Sequence, residues 1–383
     1  MRIEDDWLRA APTQAVFAML GGAGHPALAV GGCVRDALLG RPVADVDLST
    51  DARPDRVMAL AEAAGLRAVP TGIEHGTVTV VSGGVPHEVT TFRRDVETDG
   101  RRAVVAFTDR IEEDAGRRDF TMNALYADAS GAVVDPLGGL PDLRARRVRF
   151  IGDPRARIRE DYLRILRFFR FTAWHGDPAL GHDAEGLAAC AALAAGIDGL
   201  SRERVGHEMR RLLAAPDPGP AVEAMAGAGI LGRVLPGADV DALARLLAAE
   251  GDRPPDWTRR LAVLGGDATG LRLSRAEERT LVALRDADGG PFALGADLGA
   301  ERAADVLLLR AAAGAPVPPD ALDAARRGAE AAFPLAAHDL MPEVTGPALG
   351  DALARARAAW AESEGRLGRD ALRAVAMGAP PET

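Results

Sequence analysis

The sequence predicts an α+β protein, with an N-terminal mixed β-sheet flanked by helices and an all-helical remainder. Three observations carry this. Between Arg67 and Arg93, apolar–polar alternation recurs in RAVP, GTVTVVS and HEVTTFR, with Gly83-Gly84 between the last two. A period of two marks strands, and a glycine pair between them marks a hairpin. Helical spacing appears around these strands at residues 5–22 and 53–65, where Val57, Leu60 and Ala64 share one side and Gly65 follows as a cap. Beyond Pro216-Asp217-Pro218-Gly219-Pro220, a linker, the chain is Ala/Leu-rich with short Gly/Pro breaks.

The most informative stretch runs from Val30 to Thr50 and reads VGGCVRDALLGRPVADVDLST. After a strand at Ala27–Val30, Gly31 and Gly32 form a turn into a short helix, and Gly40 ends it. A turn without Cβ atoms at a helix N-terminus offers free N–H groups and the positive end of the dipole to a phosphate. Arg35 adds a fork that matches phosphate oxygens. The next strand, Ala44 to Ser49, places Asp45 and Asp47 on one face and Val46 on the other. Two adjacent carboxylates repel, and a pair of divalent cations is the chemistry that reconciles them; such a pair clamps the attacking and leaving oxygens of a phosphoryl transfer.

These residues resemble the catalytic motif of the polymerase-beta-like nucleotidyltransferases, in particular the bacterial-type (class II) family of CCA-adding enzymes and poly(A) polymerases. The resemblance implies two Mg²⁺ ions at Asp45 and Asp47, with a third carboxylate from a later strand. Glu88 is the candidate, although its facing is not fixed by the sequence. Arg93 to Asp114 is polar, charged and centred on Asp99-Gly100, which reads as a mobile loop or loose hairpin. Family members that add the complete CCA carry a flexible loop here.

RRDFTMNAL, residues 117–125, resembles the family motif for ribose and triphosphate. Arg118 can hold phosphate, while Asp119 and Asn123, four apart, are expected on one helix face toward sugar hydroxyls. Asp153-Pro154 then opens a helix through about Ala173. Within it, Glu160 to Arg170 (EDYLRILRFFR) matches the family's base-reading EDxxRxxR motif. On their pairing edges C and A each present an amino donor beside a ring-nitrogen acceptor, and G and U present the reverse. A carboxylate only accepts and a guanidinium only donates. Asp161 facing the amino group and Arg164 facing the ring nitrogen would therefore take C and A and refuse G and U, with Arg167 and Arg170 supporting them or touching phosphate. SRERVGHE, residues 201–208, resembles the next family motif and reads as scaffold, with Glu203 and Arg204 bracing the preceding helices.

Charge and cysteines bound the remaining classes. The net charge is −10, all 46 basic residues are arginine, and ten arginines face three acids between Arg144 and Arg170. Such a basic band fits RNA or a triphosphate, and solvated helix faces give the same pattern. Cys33 and Cys190 suggest no disulfide framework, so a cytoplasmic setting is expected. The acidic N-terminus is unlike a signal peptide, and no apolar run spans a bilayer. His182-Asp183 and His338-Asp339 lack the further spaced ligands of a phosphohydrolase metal site.

The resemblance thus implies a catalytic head over 1–135, a helical neck with the nucleotide-selecting helix over 136–220, and a helical body and tail over 221–383 that hold tRNA. The implied reaction adds CCA to tRNA from CTP and ATP, with no obligate protein partner evident. Within the family, poly(A) polymerase is the nearest alternative. Pro70 to Thr77 lacks the basic–aromatic run of those enzymes, and the 93–102 segment weighs against a CC-only enzyme. A non-catalytic RNA-binding protein of the same fold is the alternative from another class, opposed by intact Asp45, Asp47, Asp161 and Arg164.

Overall fold

The computed structural model describes residues 1–99 and 102–379. The chain divides into two compact units, Met1–Leu212 with Pro220–Arg233, and Leu213–Gly219 with the chain from Val234 onward.

In the first unit the strands are β1 (Ala27–Val30), β2 (Asp47–Thr50), β3 (Arg67–Gly72), β4 (Thr77–Ser82), β5 (Val85–Thr91), β6 (Arg93–Asp99), β7 (Arg102–Phe107), β8 (Tyr126–Ala127) and β9 (Val133–Val134). Seven of them form one mixed sheet in the order β3-β4-β5-β2-β1-β8-β9. Only β2 and β5 pair in parallel; the other pairings are antiparallel. The 93–107 segment forms its own hairpin, β6 with β7. Gly100, at the centre of the expected loop, lies outside the described residues.

The helices of this unit are α1 (Asp6–Arg9), α2 (Ala11–Gly21), α3 (Gly32–Leu38), α4 (Pro54–Ala63), α5 (Ile111–Gly116), α6 (Leu140–Arg144), α7 (Pro154–Glu160), α8 (Leu163–His175), α9 (Ala184–Ala192) and α10 (Arg202–Leu213), followed by short helices near 219–234. Two expected single helices are broken. The 5–22 helix stops at Ala10, whose ψ of 134° is extended, and restarts with Pro12 in its first turn, the one place where a missing N–H costs nothing. The 154–173 helix breaks at Asp161, with φ −155° and ψ 107°. There the side chain accepts the Leu163 N–H at 3.1 Å. Short acidic side chains compete for backbone donors in this way and start a new helix instead of continuing the old one.

Helix α8 is fastened to the sheet unit by aromatic packing. Phe120 and Phe150 face each other across an isolated bridge, 4.9 Å between ring centroids. Phe168 stacks on Phe150 at 5.5 Å, and Phe171 approaches Phe120 at 5.1 Å. Phe120 and Phe168 are fully buried. This cluster lies directly beneath the polar residues described below.

The second unit is helical. Phe292, Leu340, Trp360 and Leu372 form a core, with Phe292 edge-on to Trp360 at 5.2 Å. Its helices 291–298 and 321–330 meet backbone to backbone: a Cβ on Gly295 would sit 1.9 Å from the Ala325 carbonyl oxygen, and one on Gly328 2.0 Å from that of Phe292. Glycine is required at both positions. Among the described residues no helix is long and apolar enough to cross a membrane.

Candidate active site

Strand register settles the facing of the acids. Asp47 opens β2, and in the parallel pairing it lies beside Glu88 of β5. Asp47 and Glu88 are exposed, while their successors Leu48 and Val89 are buried. The two carboxylates therefore share the open face of the sheet. The strand begins later than expected, so Asp45 sits in the segment preceding it, also exposed. Although the residue reaches solvent, protein atoms crowd its carboxyl, and this desolvation, then the neighbouring Glu88 carboxylate, push Asp47 up to about 6, with a further push from Asp45 and an opposing pull from Arg118.

The glycine turn lies on the same side. Gly31 has φ 74°, and a Cβ there would come within 3.3 Å of Arg118 Nη1. A side chain at 31 would be strained and would crowd that guanidinium. Arg118 is set by two residues that the sequence reading did not single out. It donates to Asp114 Oδ2 at 3.1 Å and to the Tyr126 hydroxyl at 3.3 Å, while Tyr126 donates to the same Asp114 oxygen at 2.8 Å. Asp114 is fully buried and also holds Arg117. The i, i+4 spacing of Asp114 and Arg118 was the available signal.

Asp119 and Asn123 meet, but not on a helix face. Asp119 precedes a single 3₁₀ turn at Thr121–Asn123, and both residues are buried. They form a chain: Arg35 Nη1 donates to Asn123 Oδ1 at 2.7 Å, Asn123 Nδ2 donates to Asp119 Oδ1 at 2.9 Å, and Arg167 Nε donates to Asp119 Oδ2 at 2.8 Å. Arg35 also forks onto Asp36 at 2.9 and 2.8 Å. That leaves two of its five N–H groups for a ligand. Burial pushes the Asp119 carboxyl up, but Arg167, the Asn123 amide and the Phe120 N–H more than offset this and hold it at about 2.

That depression has a pH consequence. The unfolded carboxyl takes its proton first, near 3.8, so the contribution of Asp119 to stability is full above that value. It is lost as pH falls toward 2. The expected outcome is an acid limb of the stability–pH curve that flattens between about 4 and 2 in Asp119→Asn. Unfolding by urea at several pH values checks it, and parallel limbs for the two proteins would contradict it.

The base-reading candidates are held from outside their own helix. Asp161 Oδ2 accepts from Arg204 of α10 at 2.5 Å, which gives the SRERVGHE segment its bracing role. Arg164 Nη1 donates to Glu160 at 2.5 Å and to the Arg157 carbonyl at 2.8 Å. Its Nη2 donates to the Arg117 carbonyl at 3.2 Å. The Nε–H and one Nη2–H remain for a ligand. Because of the break at 161, Asp161, Arg164 and Arg167 are not one ridge of a continuous helix: Asp161 projects from the junction of α7 and α8. Arg170 is buried against Glu208 at 2.5 Å, so its charge is matched inside the protein.

These groups enclose one cavity of about 710 Å³, lined by the Gly31-Gly32 turn, Asp47, Arg118, Asp119, Asn123, the Asp161–Arg170 face, Arg204 and Arg211. A phosphate turn, an acidic strand edge and an arginine-rich wall around one cavity define a nucleotidyltransferase head.

Comparison with known proteins agrees. Residues 27–149 match the poly A polymerase head domain, and residues 183–241 match the probable RNA and SrmB-binding site of polymerase A. The chain is 42% identical over 241 residues to the CCA-adding enzyme of Geobacillus thermodenitrificans, covering 62% of this chain and 54% of that one. It is 42% identical over 190 residues to the human mitochondrial CCA tRNA nucleotidyltransferase 1, covering 49% and 44%. The crystal structure of the Bacillus stearothermophilus CCA-adding enzyme in complex with CTP superposes with a TM-score of 0.77 at 28% identity, over 98% of both chains. Over residues 27–149 the chain is thus similar to the poly A polymerase head, and the relatives it matches are CCA-adding enzymes and CCA tRNA nucleotidyltransferases. It spans about half the length of the curated relatives it matches.

Proposed function

We propose that this protein is a tRNA nucleotidyltransferase that adds C, C and A to the 3′ end of tRNA, using CTP and ATP and releasing pyrophosphate. One observation carries the reading: Asp161 and Arg164 line the same cavity as the Gly31 turn, Arg118 and Asp47. A nucleotide with its phosphates at the turn thus has its base edge within reach of a group that only accepts and one that only donates.

Asp45, Asp47 and Glu88 are the carboxylates we assign to Mg²⁺. Among the described residues no three His, Cys, Asp or Glu are gathered as a ready cage. The donor set still fits, because Mg²⁺ is usually held by one or two carboxylates with substrate phosphates and water completing the shell. Desolvation and then repulsion from Glu88 raise Asp47, and a divalent cation held there would relieve that repulsion. A bound pair of ions would lower the pKa of the RNA 3′-hydroxyl and neutralise charge on the leaving pyrophosphate.

The protein's own groups do the positioning. Gly31 and Gly32 let the backbone approach the triphosphate, and Arg118, fixed by Asp114 and Tyr126, carries charge of the departing phosphates. Asp119 and Asn123 orient Arg35 and Arg167 and border the sugar. Arg204 engages one Asp161 oxygen and orients the carboxylate to accept the amino group of C or A. The 3′-oxygen attacks the α-phosphorus, its proton leaves, and the bond to the β-phosphate oxygen breaks. We assign the head to 1–135 and the neck to 136–220. The helical remainder, 221–383, takes the tRNA, and the setting is cytoplasmic.

The test is incorporation of each labelled nucleotide onto tRNA ending before CCA, by wild type and Asp161→Ala. Two C then one A, followed by a stop, is expected from the wild type. The variant should keep turnover but lose roughly tenfold or more of its discrimination against G and U. A long A tail would make the protein a poly(A) polymerase, C-only or A-only addition a split-activity enzyme, and no addition a non-catalytic RNA-binding protein.

A further inference from the structure

Beyond the base-reading residues, the C-terminal end of α8 brings a second chemistry to the cavity. Trp174 lines it with His175 and Arg211, and none of the three belongs to the motifs above. Trp174 is partly exposed yet fixed at two points. Its indole N–H donates to the Arg211 carbonyl at 2.7 Å, and its own carbonyl accepts from Arg41 at 2.7 Å. The same Arg41 nitrogen donates to His175 Nδ1 at 2.8 Å. Because arginine only donates, His175 accepts there and is neutral. The indole's polar edge is thus satisfied within the protein, and what it offers the cavity is its apolar ring.

The surrounding charge is distinctive. Each of the other arginines lining the cavity forms an ion pair with an Asp or Glu. Among the described residues Arg211 forms none, and neither does Arg41 or its neighbour Arg146. An immobilised aromatic ring beside a guanidinium without an acidic partner is a combination that binds single-stranded nucleic acid, with a base on the ring and a phosphate on the arginine.

Position separates this end from the nucleotide. Trp174 lies ten residues beyond Arg164, about 15 Å along α8 at 1.5 Å per residue. The indole is therefore set apart from the base-reading end of α8, while His175 beside it lies 3.9 Å from Asp36, next to Arg35 of the phosphate turn. We propose that Trp174 and Arg211 form a shelf for the single-stranded 3′ end of the acceptor RNA, one base stacking on the indole and one phosphate meeting Arg211. This rests on the reading that the acceptor is RNA.

Titration of tryptophan fluorescence with a tRNA transcript lacking CCA, alongside KM values for tRNA and CTP, tests it. The chain has three other tryptophans, Trp7, Trp257 and Trp360. Wild-type fluorescence should be quenched by the tRNA. Trp174→Phe should bind about as tightly while losing that quenching. Trp174→Ala should raise KM for tRNA roughly tenfold and leave KM for CTP unchanged. Arg211→Gln should reduce the slope of log affinity against log salt by about 0.7. If Trp174→Ala extends tRNA with wild-type KM, or raises KM for CTP instead, the shelf is wrong although the enzyme is real. A wild type that neither binds nor extends the tRNA overturns the functional reading, and the shelf with it.

Discussion

Asp47→Ala is expected to abolish nucleotide addition while leaving the fold intact. Its carboxylate shares the exposed sheet face with Glu88 and follows Asp45, and in the proposed site it stands between those two acids as a cation ligand. Losing a ligand that supplies several kcal/mol of transition-state stabilisation should slow pyrophosphate release from CTP by about a thousandfold or more. Stability should move the other way. Asp47 is raised to about 6 in the fold, so its favourable contribution is complete below 3.8 and gone once pH exceeds 6. At pH 8 the variant should therefore melt at or slightly above the wild-type temperature. Full activity in Asp47→Ala would remove the metal assignment.

The largest loss of stability is expected in the second unit, from Glu250→Ala. Glu250 is 5% exposed and serves two arginines that are 3% and 2% exposed, Arg259 and Arg260. It accepts from Arg259 Nε at 2.8 Å and from Arg260 Nη2 at 2.8 Å. Arg259 has a second partner in Asp305, and Arg260 also donates to the carbonyls of Leu213 and Ala215. Without Glu250, Arg260 keeps only neutral partners. Leaving a buried charge unmatched costs about 3–5 kcal/mol. Denaturant unfolding of the variant reads this directly, and a loss below about 1 kcal/mol would show that water reaches the site and takes over.

The parts of the fold legible in the sequence were those written in local chemistry. Alternation gave β4 and β5, the glycine pair gave their hairpin, and Gly31 with the two aspartates marked the site. What escaped depended on partners distant in sequence. Periodicity runs unbroken through Asp161, and only Arg204, 43 residues on, and the cap onto Leu163 explain why the helix stops there. The face of Glu88 is a property of its register with β2, not of its own strand. Asp119 and Asn123 had helical spacing, but one 3₁₀ turn and burial brought them together instead. Trp174 and Arg211 carried no signal at all, because a lone tryptophan near a helix end reads as core until its neighbours are known.

The close helix seam at Gly295 and Gly328 has a mechanical consequence. Where the two helices meet at these glycines no side chain stands between their backbones, so neither can shift there by a change of rotamer. They turn as one plate, so a load applied to either is delivered to both.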